Sequence, residues 1–224
     1  DWSSDVCSSD LAAFADPNAP RLIKSHFPHI KGFPFINRVA KSVYLLRDPI
    51  DVMMSAWDFK ALLGADASEA VKAAAFRAYV RRWVETGGTE FPDYGSLVNH
   101  VRSWLNQQEI PVHLVTYRNL VDHPQRELKA ILDFLGIAVP EARQNIAIER
   151  SSMKAMAAME QKEVDSGTDG IFFRQSLASG YGKGHRFVNK GYRNSLQSVL
   201  TEEERKIAER TFAAEFALLR KAEA

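Results

Sequence analysis

Hydrophobic and polar positions follow two rhythms along this chain. Short apolar runs with polar ends occur at residues 21–24, 43–46 and 112–116, the pattern of buried strands in a parallel sheet. Three-to-four-residue spacing marks the helices between and after them. One is expected from Pro49 to about Leu63, with Asp48 as its cap, Pro49 suited to the first turn and Asp51 adding negative charge there. Residues 65–84 carry Ala70, Ala73, Ala74 and Tyr79 on one face and Arg77, Arg81 and Arg82 on the other, an amphipathic helix ended by Gly87-Gly88. Residues 94–107 set Leu97, Val101, Trp104 and Leu105 at helical spacing. Residues 124–135 set Leu128, Ile131, Leu132 and Leu135 on a core stripe that Gly136 stops. Short helices follow Pro140, and the glycine- and serine-rich residues 166–186 are expected to form a mobile loop. Strand and helix in alternation predict an α/β fold with a parallel sheet.

Two of the predicted strands end in reactive side chains. Arg47 follows the second, and Ser55 lies six residues into the next helix, about 9 Å along its axis. An extended arginine closes such a gap, so the pair can grip one anion; a surface arginine and an ordinary helical serine have the same spacing. The first strand ends in Ser25-His26. Open α/β sheets bind ligands outside the carboxyl ends of their strands, which directs Lys24, His26 and Arg47 toward one crevice.

PRLIKSHFP, residues 20–28, resembles the strand of the cytosolic-type sulfotransferases usually written Lys-Thr-His-Leu-Pro. YLLRDPIDVMMSAWDF, residues 44–59, is similar to that family's 3′-phosphate-binding segment. The resemblance continues through Tyr94-Gly95-Ser96 with His100, Val101 and Trp104, through residues 113–137, and in weakened form through residues 187–201. It implies a three-layer parallel β-sheet flanked by helices, a P-loop-NTPase-like fold, with 3′-phosphoadenosine 5′-phosphosulfate (PAPS) as donor and 3′,5′-adenosine bisphosphate as product. It further implies that the sulfuryl group passes to a hydroxyl or amine of a small-molecule acceptor, without a metal. His26 would then be the general base, its ordinary pKa being near working pH, and Lys24 would stabilise charge on the sulfuryl oxygens. Arg47, Ser55, Lys190 and the Gly191 backbone would hold the 3′-phosphate, and Tyr117 would approach the adenine. Residues 149–156 resemble the segment His-Thr-Ser-Phe-x-x-Met, which gives Ser151 the place of a threonine near the adenine and Met153 that of the packing phenylalanine. A Met153-Met156 pair is also common core filler.

The chain departs from the family at several points. Asn189 stands where arginine is usual, with Arg186 or Arg193 as candidate substitutes, and in the family the segment matching residues 166–186 covers the active site, which suggests gating. The dimer motif keeps Thr201 but neither its lysine nor its glutamate, leaving homodimerisation open. No stretch matches the family's opening phosphate loop, Tyr-Pro-Lys-Ser-Gly-Thr-Thr-Trp, and no G-x-x-x-x-G-K-[ST] replaces it. Residues 1–11, DWSSDVCSSDL, fit a translated sequencing-library adapter. The expectation is therefore a single domain over residues 12–224 that is truncated at its N-terminus and lacks the first strand. Phe27, Phe33, Phe35, Trp57 and Phe59 fit either an apolar acceptor pocket or plain core.

Composition narrows the alternatives. With 46% hydrophobic residues and a net charge of +1, the 224 residues suit one soluble domain and lack the basic excess of a nucleic-acid binder. No apolar run is long enough to cross a membrane. The one cysteine, Cys7, leaves no thiol chemistry in the domain and fits a cytoplasmic setting. Two other classes stay open: another nucleotide-dependent transferase, such as a small-molecule kinase, and a noncatalytic phosphonucleotide-binding or interaction module.

Overall fold

The computed structural model describes residues 22–30, 36–62, 68–89, 95–188, 191 and 195–224. Expectations placed on residues 1–21, Phe33, Phe35, Tyr94, Asn189, Lys190 and Arg193 lie outside them. Strands β1 (Ser42–Leu46) and β2 (Val112–Thr116) pair in parallel, from Ser42 opposite Val112 to Leu46 opposite Thr116. A parallel pair needs a long crossover. Here it contains helices α1 (Pro49–Leu62), α2 (Glu69–Thr86) and α3 (Leu97–Leu105). After β2 come α4 (Tyr117–Asp122), α5 (Pro124–Leu135), α6 (Glu141–Arg150), α7 (Met153–Ser166), α8 (Ala178–Gly182), α9 (Ser195–Val199), α10 (Glu202–Thr211) and α11 (Ala213–Ala222).

The local signals that start and stop these helices act as expected. Asp48 Oδ1 accepts from the Ile50 and Asp51 amides at 2.8 and 3.2 Å, which starts α1 directly off the end of β1. Gly87 and Gly136 close α2 and α5 at φ 72° and 76°, a region where a side chain is costly. Thr201 and Glu204 form a reciprocal capping box at α10.

Leu46, Ile50 and Met53 carry the β1–α1 unit into the core, where they meet Val80, Trp83 and Val84 of α2 and Ala208, Phe212 and Phe216 from the C-terminal helices. Ile50, Met53 and Phe212 are fully buried. Each such side chain contributes about 1.5–3 kcal/mol through burial. Trp57 belongs to this core as well, packed on Phe76 and Tyr79 at ring separations of 5.2 Å.

Three expectations are corrected. Leu22, Ile23 and Lys24 do not form a strand, and Leu22 is 81% exposed. An apolar run joins a sheet only where a neighbouring edge takes its backbone bonds, whereas this segment is fastened to α3. Among the described residues the sheet accordingly has two parallel strands, β1 and β2. On α2, Ala70, Ala73 and Ala74 face solvent, and the buried face is Tyr79, Val80, Trp83 and Val84, because aromatic and branched side chains remove far more apolar area from water than a methyl does. Residues 166–186 are not a plain loop: a 3-10 turn (Gln175–Leu177) leads into α8, and Phe173 and Tyr181 are buried beside Phe59, Val164 and Leu177.

Candidate functional site

Four of the expected nucleotide-binding residues converge at the carboxyl end of β1 and β2. The Arg47 guanidinium lies over the Tyr117 ring, 4.2 Å from its centre, and such stacking holds the arginine fork in one orientation. The register of the strands explains the meeting: Leu46 is opposite Thr116, so the next residue on each chain is Arg47 and Tyr117. Gly191 approaches from the other side at φ 59°. A Cβ there would sit 2.9 Å from Met153 Sδ and 3.6 Å from the Tyr117 hydroxyl, so only glycine fits this approach. Arg47 and Tyr117 also line a cleft of about 190 Å³ with Asp48, Arg118, Arg220 and Glu223. Burial, with the charge of Asp51 adding, pushes the Asp48 carboxyl above its ordinary range in spite of the two amides it caps.

The remaining expected residues are placed differently. Ser55 is exposed on α1. Ser151 ends α6, and its hydroxyl donates to the Ala147 carbonyl at 2.8 Å, while the neighbouring Ser152 caps α7. Lys190 is outside the described residues. Arg186 is tied to its own segment, donating to the Tyr181 and His185 carbonyls and to Gln161 Oε1.

Lys24 and His26 are both exposed, and without a strand no alternation puts them on one face. Their segment is instead seated on α3 by side chains. Trp104 Nε1 donates to the Phe27 carbonyl at 3.0 Å, the His29 amide donates to Ser103 Oγ at 2.9 Å, and the His29 ring packs edge-on against Trp104. His100 hydrogen-bonds the backbone of His26 and Phe27 through one edge. Its Nδ1 faces the Tyr44 hydroxyl at 2.8 Å. Burial holds the His100 imidazole below the usual histidine range against the pull of those backbone bonds, with His26 nearby lowering it further. Burial, with the charge of Glu215 adding, raises the Tyr44 hydroxyl well above the ordinary tyrosine range, so it remains a donor. Thus His100 packs and hydrogen-bonds within the core side of α3.

Three carboxylates gather backbone amides from segments outside their own helices, a task the sequence did not indicate. Asp51, expected only as a charge at the start of α1, accepts from the Ser195 amide at 3.0 Å and thereby joins α1 to α9. Glu163 accepts from the amides of Ile171, Phe172 and Phe173 at 3.0, 2.8 and 3.0 Å. Glu160 is 1% exposed and accepts from the amides of Phe187 and Val188 at 2.5 and 3.0 Å. A signal for Glu160 was available: it lies at helical spacing from Met153, Met156 and Val164, an acid inside an apolar stripe. Among the described residues no group of three or more His, Cys, Asp or Glu could hold a metal ion, and no helix is long and apolar enough to cross a membrane.

Comparison with known proteins agrees with this geometry. The chain is 26% identical to sulfotransferase 2A2 of Rattus norvegicus over 200 residues, which are 88% of this chain and 64% of the relative. It is 30% identical to sulfotransferase 2A1 of the same organism over 165 residues, 73% of this chain and 54% of the relative. The chain thus spans a little over half to two thirds of the length of these relatives. Its fold is that of retinol dehydratase in complex with androsterone and the inactive cofactor PAP, with a TM-score of 0.61 at 21% identity over 92% of this chain and 56% of the other. A mouse sulfotransferase complexed with PAP gives 0.62 at 17% identity, over 88% and 66%. The sulfotransferase domain profile matches residues 1–220, and on that match, spanning both the Arg47–Tyr117 cluster and the His26 segment, the chain belongs to the sulfotransferase family.

Proposed function

We propose that this chain binds the adenosine 3′-phosphate end of PAPS and serves sulfuryl transfer to a hydroxyl or amine of a small-molecule acceptor. The convergence of Arg47, Tyr117, Met153 and Gly191 carries this reading. These residues fit the group they would hold. An arginine kept in orientation by an aromatic ring suits a phosphate, a glycine at positive φ leaves its amide open to close approach, and a methionine and a tyrosine suit the faces of a purine. Lys190 and Ser55 are assigned the remaining 3′-phosphate contacts, and Ser151 the adenine side.

PAPS supplies an activated sulfuryl group when bound. Sulfuryl transfer is close in character to phosphoryl transfer, so the protein's part is chiefly to position and to stabilise charge. His26 takes the proton of the acceptor hydroxyl at its imidazole, and Lys24 balances negative charge with its ammonium. The segment holding them is positioned by α3, whose Trp104 and Ser103 fix its backbone. Retinol dehydratase, whose complexes hold androsterone and retinol, points to an apolar acceptor. Soluble, cytoplasmic action fits the family.

The test is calorimetric binding of 3′,5′-adenosine bisphosphate to this chain beside Arg47→Ala. Micromolar binding is expected. The variant should bind about tenfold or more weakly, as for loss of a charged hydrogen bond. No binding by the unsubstituted chain, or equal binding by the variant, overturns the reading.

A further inference from the structure

Glu160 is a buried carboxylate on α7 whose two oxygens take the amides of Phe187 and Val188. The Tyr181 hydroxyl, which donates to the Phe172 carbonyl at 2.9 Å, is also within hydrogen-bond reach of it. Removing a carboxylate from water is expensive unless hydrogen bonds replace the lost hydration. Here two backbone amides do so.

The position of those amides gives the contact its interest. Gly191, three residues beyond Val188, comes so near Met153 at the start of the same helix that a Cβ on it would meet the Met153 sulfur at 2.9 Å. Glu160 lies seven residues further along α7, about two turns. One helix therefore holds residues 187–188 with a carboxylate and sets a thioether beside residue 191. One turn on, Glu163 holds residues 171–173 in the same way. Phe187 is further wedged between Phe59 and Phe172, with ring centres 6.0 and 5.9 Å away.

We infer that Glu160 is a positioning residue for 3′-phosphate recognition, fixing Phe187 and Val188 relative to Gly191, Arg47 and Tyr117 through the two amides it accepts. The inference rests on the proposed function. It assigns a specific task to a residue that touches no ligand in that proposal, and it gives Glu163 the separate task of ordering residues 171–173.

The experiment compares the unsubstituted chain with Glu160→Gln, Glu160→Asp and Glu163→Gln by calorimetry, using 3′,5′-adenosine bisphosphate and adenosine 5′-monophosphate as probes. Amide exchange at Phe187 and Val188 is followed in parallel. Glu160→Gln keeps the shape but offers one acceptor where two donors converge. It should weaken the bisphosphate about tenfold, leave the monophosphate unchanged and speed exchange at both amides. Glu160→Asp, which restores a carboxylate, should recover part of the loss. Glu163→Gln should speed exchange at residues 171–173 without that loss. A general loss of structure would weaken both nucleotides alike and overturn the inference, as would bisphosphate affinity in Glu160→Gln equal to that of the unsubstituted chain. No bisphosphate binding by the unsubstituted chain overturns the proposed function and this inference together, whereas binding that Glu160→Gln retains overturns this inference alone.

Discussion

Two stretches outside the sheet are each fixed by a helix, in a different chemical manner. The His26 segment lies on α3, held by an indole N–H, a hydroxyl and an imidazole. The stretch from Ile171 to Val188 lies on α7, held by the carboxylates of Glu163 and Glu160. The first grip uses mostly neutral groups, each taking one or two backbone atoms; the second uses charged acceptors that each gather two or three amides. Charge-assisted bonds are about twice as strong as neutral ones, so α7 needs fewer residues for a longer segment. What the α3 side lacks in charge it makes up in packing, since Trp104 is buried and carries the His29 ring. The two segments should therefore fail under different perturbations.

The largest difference is expected at Trp104. Its replacement by alanine removes a buried indole, a hydrogen bond and the seat of His29, and should cost about 3–5 kcal/mol in urea unfolding. Trp104→Phe, which keeps the packing, should cost roughly 1 kcal/mol. An alanine variant as stable as the original would show that α3 is not what seats the His26 segment.

Acid should separate the two grips next. An unfolded histidine titrates near 6.5 and folded His100 below that, so its contribution is complete above pH 6.5 and is lost as pH falls from there through the folded value. For Glu163, burial raises the carboxyl, but the amides of Phe173, Phe172 and Ile171 and the charge of Arg174 outweigh it and hold the group below its unfolded value of 4.5. Its contribution is complete above pH 4.5 and is lost only as pH falls beneath that. Protection factors of the His29 and Phe173 amides measured against pH should then fall in that order. Simultaneous loss, or the reverse order, would remove the proposed distinction.

The smallest effect sharpens the neutral side. Tyr44→Phe deletes the 2.8 Å hydroxyl contact to His100 and should cost about 1 kcal/mol. Because that hydroxyl favours the neutral imidazole, its loss should also raise the His100 pKa in an NMR titration and move release of the His29 amide to higher pH. An unchanged titration would detach Tyr44 from the grip.

Legibility in the sequence followed the range of the interactions. Residues 42–62 could be placed in detail because every signal there acts within a few positions: the apolar strand, the Asp48 cap, Pro49 in the first turn. The same holds for β2 and for α5, which ends at Gly136 as expected. Arg47 and Tyr117 were named separately through family resemblance; that they stack follows from the parallel register, which local pattern does not encode. The strand expected at residues 21–24 failed for the same reason, since an apolar run is a strand only if another edge receives it.

By itself, then, the sequence determined where the helices at residues 49–62, 69–86, 97–105 and 124–135 lie, two of the segments that form strands, and which side chains carry usable chemistry, because capping, periodicity and side-chain type are local properties. The tertiary structure alone decided that Gly191 meets Met153 and Tyr117, that His26 rests on α3 without a strand, and that Glu160 and Glu163 turn a glycine-rich stretch into an ordered one. Each of those contacts joins groups far apart or differently framed along the chain. Their free energy exists only once the core has brought the elements together and removed the competing water.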